Sequence, residues 1–124
     1  MINAFVAVGL GAAIGGWIRW GLGMLLNASI IPMGTLLANL LGGYLMGLAL
    51  AGVVHQPELS TEMKLFITTG FLGGLTTFST FSAEAVSLMH REQYGYAIAH
   101  ILFHVVGSLL MTALGYWTVQ YLRN

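Results

Sequence analysis

With 124 residues, 57% of them hydrophobic and 6% charged, the chain is one small domain too apolar for a soluble globular protein. Four Lys and Arg balance four Asp and Glu, which removes the electrostatic case for a nucleic-acid partner or a basic lipid-binding patch. No Cys is present, so disulfides and thiolate metal sites are excluded.

Apolar blocks of about 20 residues recur along the chain and predict an integral membrane protein in a lipid bilayer. The first span is expected over 4–26. It lacks a basic leading region and is followed by equally apolar sequence, so it reads as a span and not as a cleaved signal. Asn27 to Pro32 forms a turn-like link, and the second span is expected over 34–54. His55 to Lys64 is the most polar segment. Within it Ser60 or Thr61 is placed to cap the next helix, with Glu62 near the positive end. The third span is expected over 64–89, broken near Gly73-Gly74, and the fourth over 96–121. The fold class is therefore all-α, a four-helix transmembrane domain.

With an even number of spans, the α-amine, Lys64 and Arg123 share one face, while Arg91 and the nearby Arg19 lie at the other. The bias of Lys and Arg between short loops sets orientation, so a near balance points to weak preference or insertion both ways. Four helices packed together fill their own centre, and a polar path is expected where copies meet. The pairs Gly11 and Gly15, Gly43 and Gly47, Gly70 and Gly74, and Ser108 and Thr112 are each four apart, the spacing of close helix packing.

The most telling stretch is Gly73 to Ser82, with the sequence Gly-Gly-Leu-Thr-Thr-Phe-Ser-Thr-Phe-Ser. Irregular backbone and hydroxyls at bilayer depth persist only when buried in protein or lining a wet cavity. The Gly pair either kinks the helix for packing or frees carbonyls for a cation. Phe78 and Phe81 share a face if helical, and their positive ring edges suit an anion held weakly. Asn39, among leucines, is either interhelical glue or an ion-facing donor. In the fourth span His100, His104, Gly107, Ser108, Met111, Thr112 and Gly115 form one polar or small stripe. His100 and His104 have the spacing of a metal pair, but no third ligand is near in sequence, and hydrogen bonding within the bundle is the plainer role. Arg19, between Trp17 and Trp20, is expected to anchor at the headgroups, and Glu84 needs a partner or water.

These residues resemble the Fluc (CrcB) fluoride channels. The resemblance is carried by Gly15-Gly16-Trp17-Ile18-Arg19-Trp20, Gly34-Thr35-Leu36 with Asn39, Gly70 to Ser82, and His104-Val105-Val106-Gly107-Ser108. It implies an antiparallel, dual-topology homodimer in the bacterial plasma (inner) membrane, with two fluoride pathways and a structural Na⁺ at the interface. Asn39, Phe78 and Phe81 would line the pathway. Ser108 and Thr112 would form a polar track with the third-span hydroxyls, including Ser79 and Thr80. Gly73 and Thr76 would offer backbone carbonyls to Na⁺. The implied function is passive export of fluoride that enters as HF. Its rival is a proton-coupled exporter of the small multidrug-resistance kind, which would need an acid in the first span, where this chain has Arg19. A purely structural protein would explain the glycine pairs but not the hydroxyl-aromatic run, and no enzyme constellation is present.

Overall fold

The computed structural model describes residues 1–124, and they are all helical or in short links. Helix α1 is Ile2–Leu26, α2 is Met33–Val53, α3 covers 61–75, α4 is Phe78–His90 and α5 is Tyr94–Arg123. Helices α1, α2 and α5 are each long and apolar enough to cross a membrane, and the protein is a multi-pass membrane protein. Only 21 of the 124 residues are buried, far too few for a water-soluble core, so lipid or further protein must cover the rest.

Local sequence accounts for the starts and stops. Ser60 caps α3, its Oγ accepting from the Met63 N–H at 3.1 Å, with Glu62 in the first turn. Asn27 ends α1 and reaches the next helix: its Oδ1 accepts from the Thr35 N–H at 3.1 Å and its amide donates to Thr35 Oγ1 at 3.2 Å. Two stretches, Ala49–Val53 at the end of α2 and Phe66–Leu72 in α3, widen to i to i+5 hydrogen bonding. Such widened turns concentrate near functional sites. Nothing in the hydrophobic pattern announced them.

The interruption of the third span does not fall at the glycine pair. Gly73 keeps helical angles (φ −63°, ψ −37°), and the chain becomes extended only at Thr76 (φ −91°, ψ 153°) and Thr77 (φ −150°, ψ 122°). The physical reason is a division of labour. The glycines provide close approach to α1, while the β-branched threonines tolerate extended backbone and Thr77 caps the helix that follows, Oγ1 accepting from the Thr80 N–H at 3.1 Å.

The predicted small-residue pairs find each other within the chain. A Cβ on Gly11 would come 2.5 Å from the Phe66 carbonyl oxygen, and one on Gly15 would run into that of Phe71. From the other side, a Cβ on Gly74 would sit 2.5 Å from the Ala12 carbonyl oxygen. Helices α1 and α3 thus touch backbone to backbone. The same holds between α2 and α5, where Gly47 lies on the Thr112 carbonyl and Gly115 on that of Tyr44, beside a 3.2 Å bond from the Tyr44 hydroxyl to Thr118 Oγ1. These pairs pack helix against helix within the chain.

Forcing a branched side chain into such a contact should be costly. Gly15→Val is expected to destabilise the folded protein by about 1–3 kcal/mol or more, the range of overpacking. Gly16→Val, where a Cβ meets nothing within 4 Å, is the matched control and should stay within about 0.5 kcal/mol of the parent. Thermal unfolding in detergent, followed by the loss of a monodisperse peak, checks the difference; equal melting would disprove the backbone contact.

Candidate functional site

The site is organised by the extended joint between α3 and α4. Leaving the helix strands the carbonyls of the preceding turn, and at bilayer depth each unpaired peptide group costs several kcal/mol. Three side chains reorganise the joint. Asn39 of α2 pairs with both polar groups of Thr77, its Oδ1 accepting from the Thr77 N–H at 2.7 Å and its Nδ2 donating to the Thr77 carbonyl at 2.9 Å. Arg19 donates from Nε to the Gly74 carbonyl at 3.0 Å. Thr76 turns its hydroxyl back to the Leu72 carbonyl at 2.9 Å. Arg19 is therefore drawn inward to the joint, while Trp17 and Trp20 remain exposed on either side of it. A headgroup anchor was the expectation, but a stranded carbonyl outcompetes the interface for the guanidinium.

The joint deprives the carbonyls of Gly73 to Thr76 of their helical donors, and Arg19 replaces the donor at Gly74. The Thr77 N–H, which would have closed the turn on Gly73, is given to Asn39, and the Thr80 N–H, which would have closed on Thr76, is given to Thr77 Oγ1. Gly73 is exposed on the surface of the chain. Carbonyl oxygens of this kind suit a hard monovalent or divalent cation.

Beside the joint lies a groove of about 420 Å³ between α2, α4 and α5. It brings together Asn39, Phe78, Phe81, Ser108 and Thr112, all expected site residues, with Thr76, Thr77 and His104. No Lys, Arg, Asp or Glu lines it. The two phenyl rings meet edge to face, centroids 5.4 Å apart and planes at 67°, but their settings differ: Phe81 is 6% exposed and Phe78 is 76% exposed. Phe81 is further held by the imidazole of His104, stacked at 4.7 Å. Thr112 Oγ1 donates to the Ser108 carbonyl at 2.9 Å, a local bond that occupies its one hydroxyl hydrogen.

Ser79 and Thr80 lie outside this groove. The Ser79 hydroxyl is exposed and 3.4 Å from Thr77 Oγ1. Thr80 accepts from Thr77 Oγ1 at 3.1 Å and faces a separate depression of about 320 Å³ with Glu84, Ser87 and Arg91.

Sequence reasoning named Glu84 and the two histidines without their partners. Glu84 finds its partner in Thr35, whose hydroxyl donates to Oε2 at 2.8 Å. Thr35 and Asn39 are i, i+4 on α2, opposite the i, i+4 pair His100 and His104 on α5, and that matching spacing was the available signal. His104 Nδ1 lies 2.9 Å from Asn39 Nδ2, and His100 Nε2 is 3.5 Å from Glu84 Oε1, a contact too long for a good hydrogen bond. Glu84, His100 and His104 each bring one ligand-type atom within 4.8 Å of the others, so α4 supplies the third group that was absent nearby in sequence.

Residues 6–116 match the model of the family described as CrcB-like protein, Camphor Resistance (CrcB). The chain is similar to a fluoride-specific ion channel FluC of Pseudomonas putida (strain W619), 55% identical over 126 residues that cover 100% of this chain and 99% of the relative. It is also similar to one of Aromatoleum aromaticum, 58% identical over 117 residues (93% of this chain, 89% of the relative), and to one of Nitrosospira multiformis, 54% identical over 125 residues (99% and 98%). With a match that runs from α1 to α5 and includes the joint, the groove and the paired glycines, the chain belongs to the CrcB family.

Proposed function

We propose that the protein is a fluoride-selective, passive ion channel that exports fluoride across the bacterial plasma (inner) membrane, and is not an enzyme. The names of its relatives support the substrate. The observation that carries the mechanism is the groove that gathers hydroxyls and an aromatic pair and has no fixed charge in its lining. Fluoride is small and strongly hydrated, so a selective path must replace its water with donors at close range. A Lys or Arg in the path would hold the ion and slow its exit, whereas hydroxyls and ring edges bind weakly enough for release. Phe78 and Phe81 present ring edges to the ion, Ser108 offers its hydroxyl from α5, Thr112 joins it where its hydroxyl turns from the Ser108 carbonyl to the ion, and Asn39 holds the joint beside them. Ser79 and Thr80 stand outside the groove, Thr80 facing the depression it shares with Glu84 and Arg91.

The working unit in this proposal is an antiparallel, dual-topology homodimer with two pathways. Phe78 and Gly73 are exposed on the single chain although one is a large aromatic and the other carries a stranded carbonyl, which fits a second copy closing over both. A structural Na⁺ between the copies would tie the Gly73 and Thr76 carbonyls of both subunits together by charge. The chain's own part is to withhold the Thr77 and Thr80 N–H groups from those oxygens.

Purified protein in liposomes should release fluoride rapidly and chloride not at all, read with ion-selective electrodes; release no faster than from empty liposomes would defeat the assignment. Phe81→Ile and Phe78→Ile should each slow fluoride release roughly two- to tenfold, the order for a lost aromatic contact of about 0.5–1.5 kcal/mol, with the dimer intact on size-exclusion chromatography. Unchanged rates in both variants would remove the ring-edge mechanism. A single Cys placed between His90 and Gly95 should react with a membrane-impermeant thiol reagent from both sides of the membrane, and labelling from one side alone would exclude dual topology.

A further inference from the structure

The hydrogen bonds around Asn39 determine the protonation of a neighbouring side chain. The orientation of its amide is dictated by backbone, because Oδ1 accepts from the Thr77 N–H at 2.7 Å and Nδ2 donates to the Thr77 carbonyl at 2.9 Å. Exchanging the two atoms would set N–H against N–H and oxygen against oxygen. The second hydrogen on Nδ2 then points to His104 Nδ1 at 2.9 Å. A donor on that side means that Nδ1 must carry its lone pair, and the ring hydrogen must be on Nε2. An imidazolium is excluded by the same contact.

Two conclusions about the site follow. Asn39 has no amide hydrogen left to give an ion. And His104, 4% exposed, presents an Nε2–H that no acceptor in the chain reaches. The same tautomer argues against a metal at the Glu84, His100 and His104 cluster, since ligation through Nε2 needs its lone pair and would set an Nδ1–H against the amide of Asn39.

We propose that Asn39 is a positioning residue that locks His104 in the Nε2–H tautomer, and that this Nε2–H is an uncharged donor to the permeating anion beside Phe81. The assignment rests on the fluoride pathway proposed above. The stacking of His104 on Phe81 at 4.7 Å puts the donor next to the ring whose edge serves the same ion. Thr35 donates to Glu84 Oε2, while Glu84 Oε1, 3.5 Å from His100 Nε2, has no hydrogen-bond partner and lies in the same buried cluster as His104, so the donor serves the anion with an acidic group close by.

The lock is tested by nitrogen NMR of histidine-labelled full-length protein in lipid. His104 should show an unprotonated Nδ1 and a protonated Nε2, and its Nε2 signal should move with added fluoride and not with chloride. Asn39→Asp, which replaces the donor by an acceptor, should invert the tautomer and slow fluoride release from liposomes by about tenfold or more, the scale of a hydrogen bond lost to a charged group. His104→Phe, close in shape but without a donor, should slow release similarly, and His104→Gln, which keeps a donor and an acceptor, should recover part of it.

An Nδ1–H tautomer in the parent protein would overturn the proposal. So would an Nε2 signal indifferent to fluoride, the mark of an ordered water only, or parental rates in His104→Phe. A fluoride-sensitive Nε2 in protein that releases no fluoride would instead defeat the channel function and leave the lock standing.

Discussion

The pairing of Asn39 with the backbone of Thr77 is the constraint on which the rest of the architecture depends. A helix that opens inside a bilayer strands donors and acceptors that no solvent repairs. One amide side chain repairs both groups of Thr77 and, by taking the N–H, leaves the Gly73 carbonyl free. The same amide reaches His104. The Gly73 carbonyl, the helix restart and the α5 stripe are thereby tied to one side chain of α2, so that displacing Asn39 disturbs all of them together.

Backbone contact between helices is what holds the joint in place. Gly74 both lies against Ala12 of α1 and offers its carbonyl to Arg19 of the same helix. The close approach brings the guanidinium within reach, and the guanidinium compensates for the helical bond lost at the joint. On the opposite side, the contact of Gly47 and Gly115 seats α2 on α5 and sets Asn39 against His104. In lipid, where hydrophobicity does not drive helices together, such van der Waals contact and interhelical hydrogen bonds supply the packing energy.

The widened turns of Phe66–Leu72 belong to the same scheme. They lead directly into Gly73–Leu75 and the joint, and they run along α1 at Gly11. A turn with i to i+5 bonding rotates the following residues relative to a regular helix, and here those residues are Gly73–Leu75, which lead into the joint.

Much of this was legible in the residues alone. Membrane character, the helical segments, the Ser60 cap, the α5 stripe and the mutual spacing of the small residues are local or periodic properties, and periodicity survives in one dimension. Which small-residue pair meets which, that the helix opens at Thr76-Thr77 and not at the glycines, that Arg19 turns inward, and that Glu84 meets Thr35 are decided by partners 49 to 55 residues away in the case of the last two. The amino-acid order determined the inventory of donors, carbonyls and rings. Only the tertiary structure decided which of them are consumed in holding the fold and which are left over, because hydrogen-bond satisfaction in a low-dielectric interior is settled between helices and not along one.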